Sequence, residues 1–258
     1  MPPSPSITQS AGIWKMEKVT QILSSTTDLI QLRPSDEDET KNSGDPFQAM
    51  VHKDLLCFFS TYYRAALQGG FLEASNKSVV LDLKTADCQY LVGWLYSGRL
   101  PDVSRNQLFG LYVFADKTDV LALRRAIMTR IVTSENQMLP AFSQAAVALN
   151  SLPSSSPLYR YLLDTYTHHW LSKYPTSEDM LPNGFLVDWI KRAADRTCKI
   201  SEEPCSKYPC CEENSCNYHE HESVEEWTYT CGASKDSSAK RRDHSRLVNK
   251  TNPKTNGA

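Results

Sequence analysis

No apolar run in the 258-residue chain approaches the ~20 residues a helix needs to cross a bilayer, so no membrane-spanning role is expected. Neither sign of charge dominates. The 28 basic and 30 acidic residues leave a net charge of −2, and no global field draws the chain to nucleic acid. A standard zinc finger, a recognition-helix pattern and a basic domain face are also missing, so direct reading of DNA has no support. The opening MPPSPSITQS lacks the basic-then-apolar order of a secretory signal. The expectation is an intracellular protein, cytoplasmic and/or nuclear, with reduced thiols and no glycan at the Asn76 and Asn249 sequons. There is no glycine-rich phosphate loop, nucleophile elbow or HExxH. A Cys–His pair in the charged C-terminal tail offers neither a rigid pocket nor an oriented base, and the expectation is a non-enzymatic protein.

What is present begins at Val51. In LLCFFSTYYRAAL, the residues Leu55, Leu56, Phe59, Tyr62, Tyr63 and Ala66 recur at helical spacing and predict a buried stripe, ended by Gly69-Gly70 in a left-handed turn. Val79, Leu81 and Leu83 alternate with polar or outward positions, as in a short strand. Thr85 is expected to cap a helix whose apolar face is Cys88, Leu91, Val92, Leu95 and Tyr96, closed by Gly98 and Pro101. Leu108, Leu111, Tyr112 and Ala115, then Val120, Leu123, Ile127 and Ile131, stripe a second helical pair, with Thr118 or Asp119 as a cap between them. Upstream, Leu29 to Leu32 and Phe47 to Val51 read as strands of a hairpin around the acidic loop SDEDETKNSGDP. The sum is an α+β fold, a small sheet flanked by helical hairpins.

The phrases VHKDLL, GGFLEAS, VGWLYSGRLP and LYVFADKTDVLALRRAI, in that order, resemble the BTB/POZ domain in its fungal form. The resemblance covers about Asp28 to Val132, one domain's length. It implies a BTB/POZ fold that dimerises or binds other proteins. The family has an aromatic residue three places before the His of VHK. Here Ala49 holds that place and Phe47 lies two earlier, so a bulge or shifted register is expected in the second strand. By the same resemblance, Asp28 and Lys53 match a charged groove pair of BTB transcriptional repressors, against the simpler reading of a structural ion pair. Phe71-x-Glu73 looks like the hydrophobe-x-acid step with which substrate adaptors grip a cullin-type ubiquitin ligase, one place off the usual register. No kelch or MATH domain accompanies it. Ile13, Trp14, Met16, Val19, Ile22 and Leu23 form a short amphipathic helix that either crosses to a partner subunit in a homodimer or folds back on its own domain.

Four segments follow: residues 1–24, disordered apart from that helix; 25–132, the BTB/POZ domain; 133–200, a helical extension; and 201–258, a Cys/His-rich and then basic tail, largely disordered. In the extension, Gln144 to Leu149 and a helix starting at Pro157 are expected, with Leu158, Leu162, Thr165, Tyr166 and His169 on one face, then the cluster Leu186, Trp189 and Ile190. Adjacent His168 and His169 diverge by about 100° on a helix, which places His169 inward and His168 outward rather than together on a metal. Cys57 and Cys88 sit on apolar helical faces and read as packing residues, whereas the other cysteines all lie at or after Cys198. Among these, Cys216-x2-His219-x-His221 with Cys231 is a candidate zinc set, with Cys210 or Cys205 as substitutes, because such a step curls two donors onto one ion. Free thiols in a solvated acidic segment are the competing reading. Lys240, Arg241, Arg242 and Arg246 form a small basic cluster interrupted by Asp243, read as a solvated tail. Three functions fit this pattern: a BTB adaptor or dimerisation module, a cullin substrate adaptor, and a zinc-stabilised transcriptional or signalling regulator.

Overall fold

A computed structural model describes residues 12–35, 47–69, 77–133, 139–169, 181–197, 215–221 and 224–228. The acidic loop, Phe71, Glu73, Cys231 and the basic cluster lie outside them. The chain is α+β and mostly helical. It divides into two compact units, the first ending at His219 and the second beginning at Glu220.

The first unit starts with α1 (Met16–Ser25), followed by β1 (Leu29–Pro34) and β2 (Ala49–His52). Helices α2 (Lys53–Phe59) and α3 (Thr61–Gln68) come next, then β3 (Ser78–Leu81) and α4 (Thr85–Ser97). The strands form one sheet in the order β2-β1-β3, with β2 antiparallel and β3 parallel to β1. Ile30 pairs with Val51 and Leu32 with Ala49 and Val79, which puts the buried apolar side chains of all three strands on one face. The β1–β2 register is continuous from Leu29↔His52 to Leu32↔Ala49, so the expected bulge is absent from these four pairs. Ala49 and Phe47 both pack against the core, and no extra residue is needed to bring them there.

The stripe after Val51 is two helices, broken at Ser60. Its hydroxyl accepts from Tyr63 N (3.0 Å), capping α3, and donates to Thr118 O (2.6 Å). Tyr62, expected in the core, is exposed, because the break turns α3 so that Tyr63 and Leu67 face inward instead. Gly69 ends α3 in an extended conformation, not a left-handed one. Gly98 does end α4 in the left-handed region, at φ 68. Thr85 is already inside α4. Lys84 holds the N-cap place and makes no side-chain cap bond there.

Helices α5 (Arg105–Lys117) and α6 (Leu121–Thr133) form the second pair. All eight of the apolar positions expected in their stripes are buried. Ser104 and Gln107 close a reciprocal capping box on α5. Between the helices, Thr118 caps the end of α5 by donating its hydroxyl to Phe114 O (2.7 Å), and Asp119 takes φ 50. Asp119 accepts from the Thr61 hydroxyl and lies 3.7 Å from Arg124 Nη1. The α2–α3 break and the α5–α6 turn are therefore bonded to one another.

The extension comprises α7 (Phe142–Leu149), α8 (Pro157–His169), α9 (Asn183–Thr197) and a 3-10 turn at Ser215–Tyr218. It shares one apolar core with the sheet and earlier helices, running from Val19 to Tyr218. Pro157 begins α8 as expected, and Leu158, Leu162, Thr165 and Tyr166 are buried. His168 and His169 are both half-buried, so His168 does not point outward. On α9, Phe185 takes the core place beside Leu186 and Trp189, and Ile190 is exposed. In the second unit the described structure is α10 (Val224–Trp227), where His221 Nδ1 lies 3.5 Å from Glu226 Oε1.

Candidate interaction surfaces

Asp28 and Lys53 do meet. The Lys53 backbone N–H donates to Asp28 O (2.9 Å), which joins the start of β1 to the start of α2, and Lys53 Nζ lies 3.7 Å from Asp28 Oδ2. The Asp28 side chain is mostly exposed, and an ion pair in that setting contributes about 0–1 kcal/mol. Next to it, Tyr96 Oη accepts from the His52 backbone N–H (3.1 Å) and lies 2.9 Å from His52 Nδ1. The patch presents a cation, an anion and an imidazole at one end of the sheet.

The outward face of the sheet is mixed. Gln31 Nε2 donates to Gln48 Oε1 (2.7 Å) and Arg33 Nε donates to Ser78 Oγ (2.8 Å), while Leu29, Met50 and Val80 are exposed beside them. A cleft of about 510 Å³ opens elsewhere, where Val103, Arg105 and Leu108 of the α5 start face Arg130 and Ile131 of α6 and Ala141 of the α7 start. Arg130 Nη2 donates to Asp102 Oδ1 at its rim (2.7 Å).

Sequence reasoning missed two anchors. The first lies ahead of α1. Trp14 is not part of that helix but precedes it, and its indole Nε1–H donates to Leu95 O (3.0 Å), one of the carbonyls that the end of α4 leaves without an intrahelical partner. The ring lies on Gly98 so closely that a Cβ there would be 2.4 Å from Trp14 Cδ2. Buried Arg125 of α6 donates from Nη1 to Gly12 O (2.6 Å). A charged residue on an otherwise apolar stripe gave no sign of this bond. The leading helix is thus folded onto its own domain, with Val19 1% exposed.

The second anchor is Tyr218. It is buried, edge-on to Tyr161 with ring centroids 5.2 Å apart, and its hydroxyl donates to Asp164 Oδ2 (2.9 Å). Arg192 of α9 pairs with the other oxygen of Asp164, so this buried carboxylate is both neutralised and hydrogen-bonded. Beside it, the Thr129 hydroxyl donates to Arg125 O (2.9 Å), which leaves its oxygen to accept from His219 Nε2–H (2.9 Å). Of the candidate zinc set, Cys216 lies within the 3-10 turn, His219 is engaged with Thr129, and His221 lies beside Glu226. Among the described residues no group of three or more His, Cys, Asp and Glu side chains is placed to hold a metal ion.

Burial pushes the Cys57 thiol up to about 11, with Asp54 adding to the effect, and its sulfur lies 3.7 Å from Tyr63 O. Such a thiol stays protonated at neutral pH and acts as a packing residue. Among the described residues no helix is long and apolar enough to cross a membrane. No protein-family model matches the chain, and neither does any curated protein.

Proposed function

We propose that the chain is a non-enzymatic interaction module of the BTB/POZ type, an adaptor that acts by binding another protein or a second copy of itself. The observation that carries this reading is the sheet order β2-β1-β3, with a hairpin, a helix pair, a parallel third strand, a helix and a second helix pair following one another in that sequence. That order of elements along the chain is the one the resemblance implies. The interlocked bonds of Ser60, Thr61, Thr118 and Asp119 also suit a rigid scaffold whose work is done on its surface. Affinity purification of the full chain with mass spectrometry tests the reading. Reproducible protein partners that are lost on Asp28→Lys/Lys53→Asp locate the binding surface at the charged patch, and recovery of no partner from any extract opposes the module. The cullin-adaptor alternative stands on Phe71 and Glu73. It requires a co-purifying cullin that disappears in Phe71→Ala/Glu73→Ala. The zinc-stabilised regulator stands on sequence spacing, and metal analysis of wild type against Cys216→Ser/His219→Ala decides it.

A further inference from the structure

We infer that the surface beneath residues 12–14 is a docking site for a tryptophan-bearing segment, filled in this chain by its own strap and open to a partner protein's tryptophan segment when the strap lifts. The purpose of such a site rests on the interaction-module reading, while its geometry stands apart from that reading.

The receptor is assembled from two helices distant in sequence. Leu95 O, at the C-terminal end of α4, accepts the indole N–H at 3.0 Å, a bond that neither phenylalanine nor an aliphatic side chain can make. Gly98, at φ +68, provides a floor without a side chain, against which the ring lies closer than any Cβ would permit. Arg125 holds the carbonyl of Gly12, two residues before the tryptophan, at 2.6 Å. One group reads the ring hydrogen, one reads ring shape and one reads the main chain. Together they specify a tryptophan two residues after a carbonyl that Arg125 can hold, the kind of rigid aromatic anchor that dominates protein interfaces.

The helix that follows the strap adds little to its hold. Val19 is the one fully buried side chain among the ten residues of α1, Met16 is 55% exposed, and Lys15 at the N-cap makes no side-chain cap bond. An element with so little burial opens more readily than the core helices that form its receptor. Lifting it leaves Leu95 O and the Gly98 floor presented to any segment of the same chemistry.

The experiment uses a fluorescein-labelled peptide of residues 9–16 and the full chain carrying Trp14→Ala, with circular dichroism to confirm folding. The peptide is expected to bind this variant about tenfold or more tightly than wild type, in which the strap competes in cis. The same peptide with alanine at the tryptophan position is expected not to bind. Equal binding of the two peptides, or no binding to folded Trp14→Ala protein, overturns the inference. Should Trp14→Ala fail to fold, Trp14→Phe keeps the ring and drops only the N–H, and must still bind the peptide more tightly than wild type does. A solution mass that doubles with concentration in wild type and not in Trp14→Ala would show a second copy as the occupant and overturn the assignment to a different partner. If the peptide fails while affinity-purified partners persist, the docking site falls and the interaction module stands.

Discussion

Asp116 shows how one residue's setting becomes a measurable property. Burial raises its carboxyl above the ordinary 3.8, Arg124 at 3.5 Å opposes the rise, and Asp119 adds to it. The folded chain therefore holds this proton to a higher pH than the unfolded chain does. The resulting penalty is absent below the unfolded value and grows as pH rises through the folded one. Asp116→Asn removes that penalty. Thermal melts at about pH 4 and about pH 7 should show wild type losing more stability across the interval than the variant, with Arg124 retaining Asp119 as a partner. Identical pH slopes would contradict the assignment. Cys57 and Cys88 were legible as packing residues from their place on apolar stripes, and both are buried. Arg125 and Asp164 were not legible. A buried charge announces itself only through partners, and theirs come from residues 12 and 218, far along the chain.

Between elements, the Ser60 hydroxyl is the most consequential single group. It caps α3 and holds the α5–α6 turn through Thr118 O, entirely out of solvent. Ser60→Ala deletes the cap and strands a buried carbonyl, so a loss of about 2 kcal/mol is expected by denaturant unfolding, with the slope of the transition unchanged. A loss under about 0.5 kcal/mol would mean that water replaces the hydroxyl. A helical hairpin is expected after Val51, with Leu55 to Ala66 on one stripe, because residues on both sides of the break keep near-helical spacing. The place of the break, at Ser60, becomes visible only with Thr118 in position. The helix pair α5–α6 was read correctly throughout, since a stripe buried along its whole length needs no distant residue to define it.

For the molecule as a whole, the extension and the earlier α+β part share one core, and Tyr218 joins that core from well beyond α9. Tyr218→Ala should free residues 215–219. Hydrogen exchange is expected to accelerate there, and more weakly in α8, while the sheet stays protected. Uniform acceleration across the first unit would instead make Tyr218 part of the global folding unit. The sequence read this stretch as a tail, because Cys216 to His221 is polar and acidic around a single tyrosine, and no local pattern distinguishes a tyrosine that will be buried. By itself the amino-acid order determined the class of fold, the strand and helix order and most of the apolar faces, because these follow from the spacing of side chains along a regular backbone. The tertiary structure decided where Trp14 and Tyr218 anchor, how Asp164 is neutralised and which way Tyr62 faces. Each of these depends on a hydrogen bond, ion pair or packing surface supplied by a residue that only folding brings near.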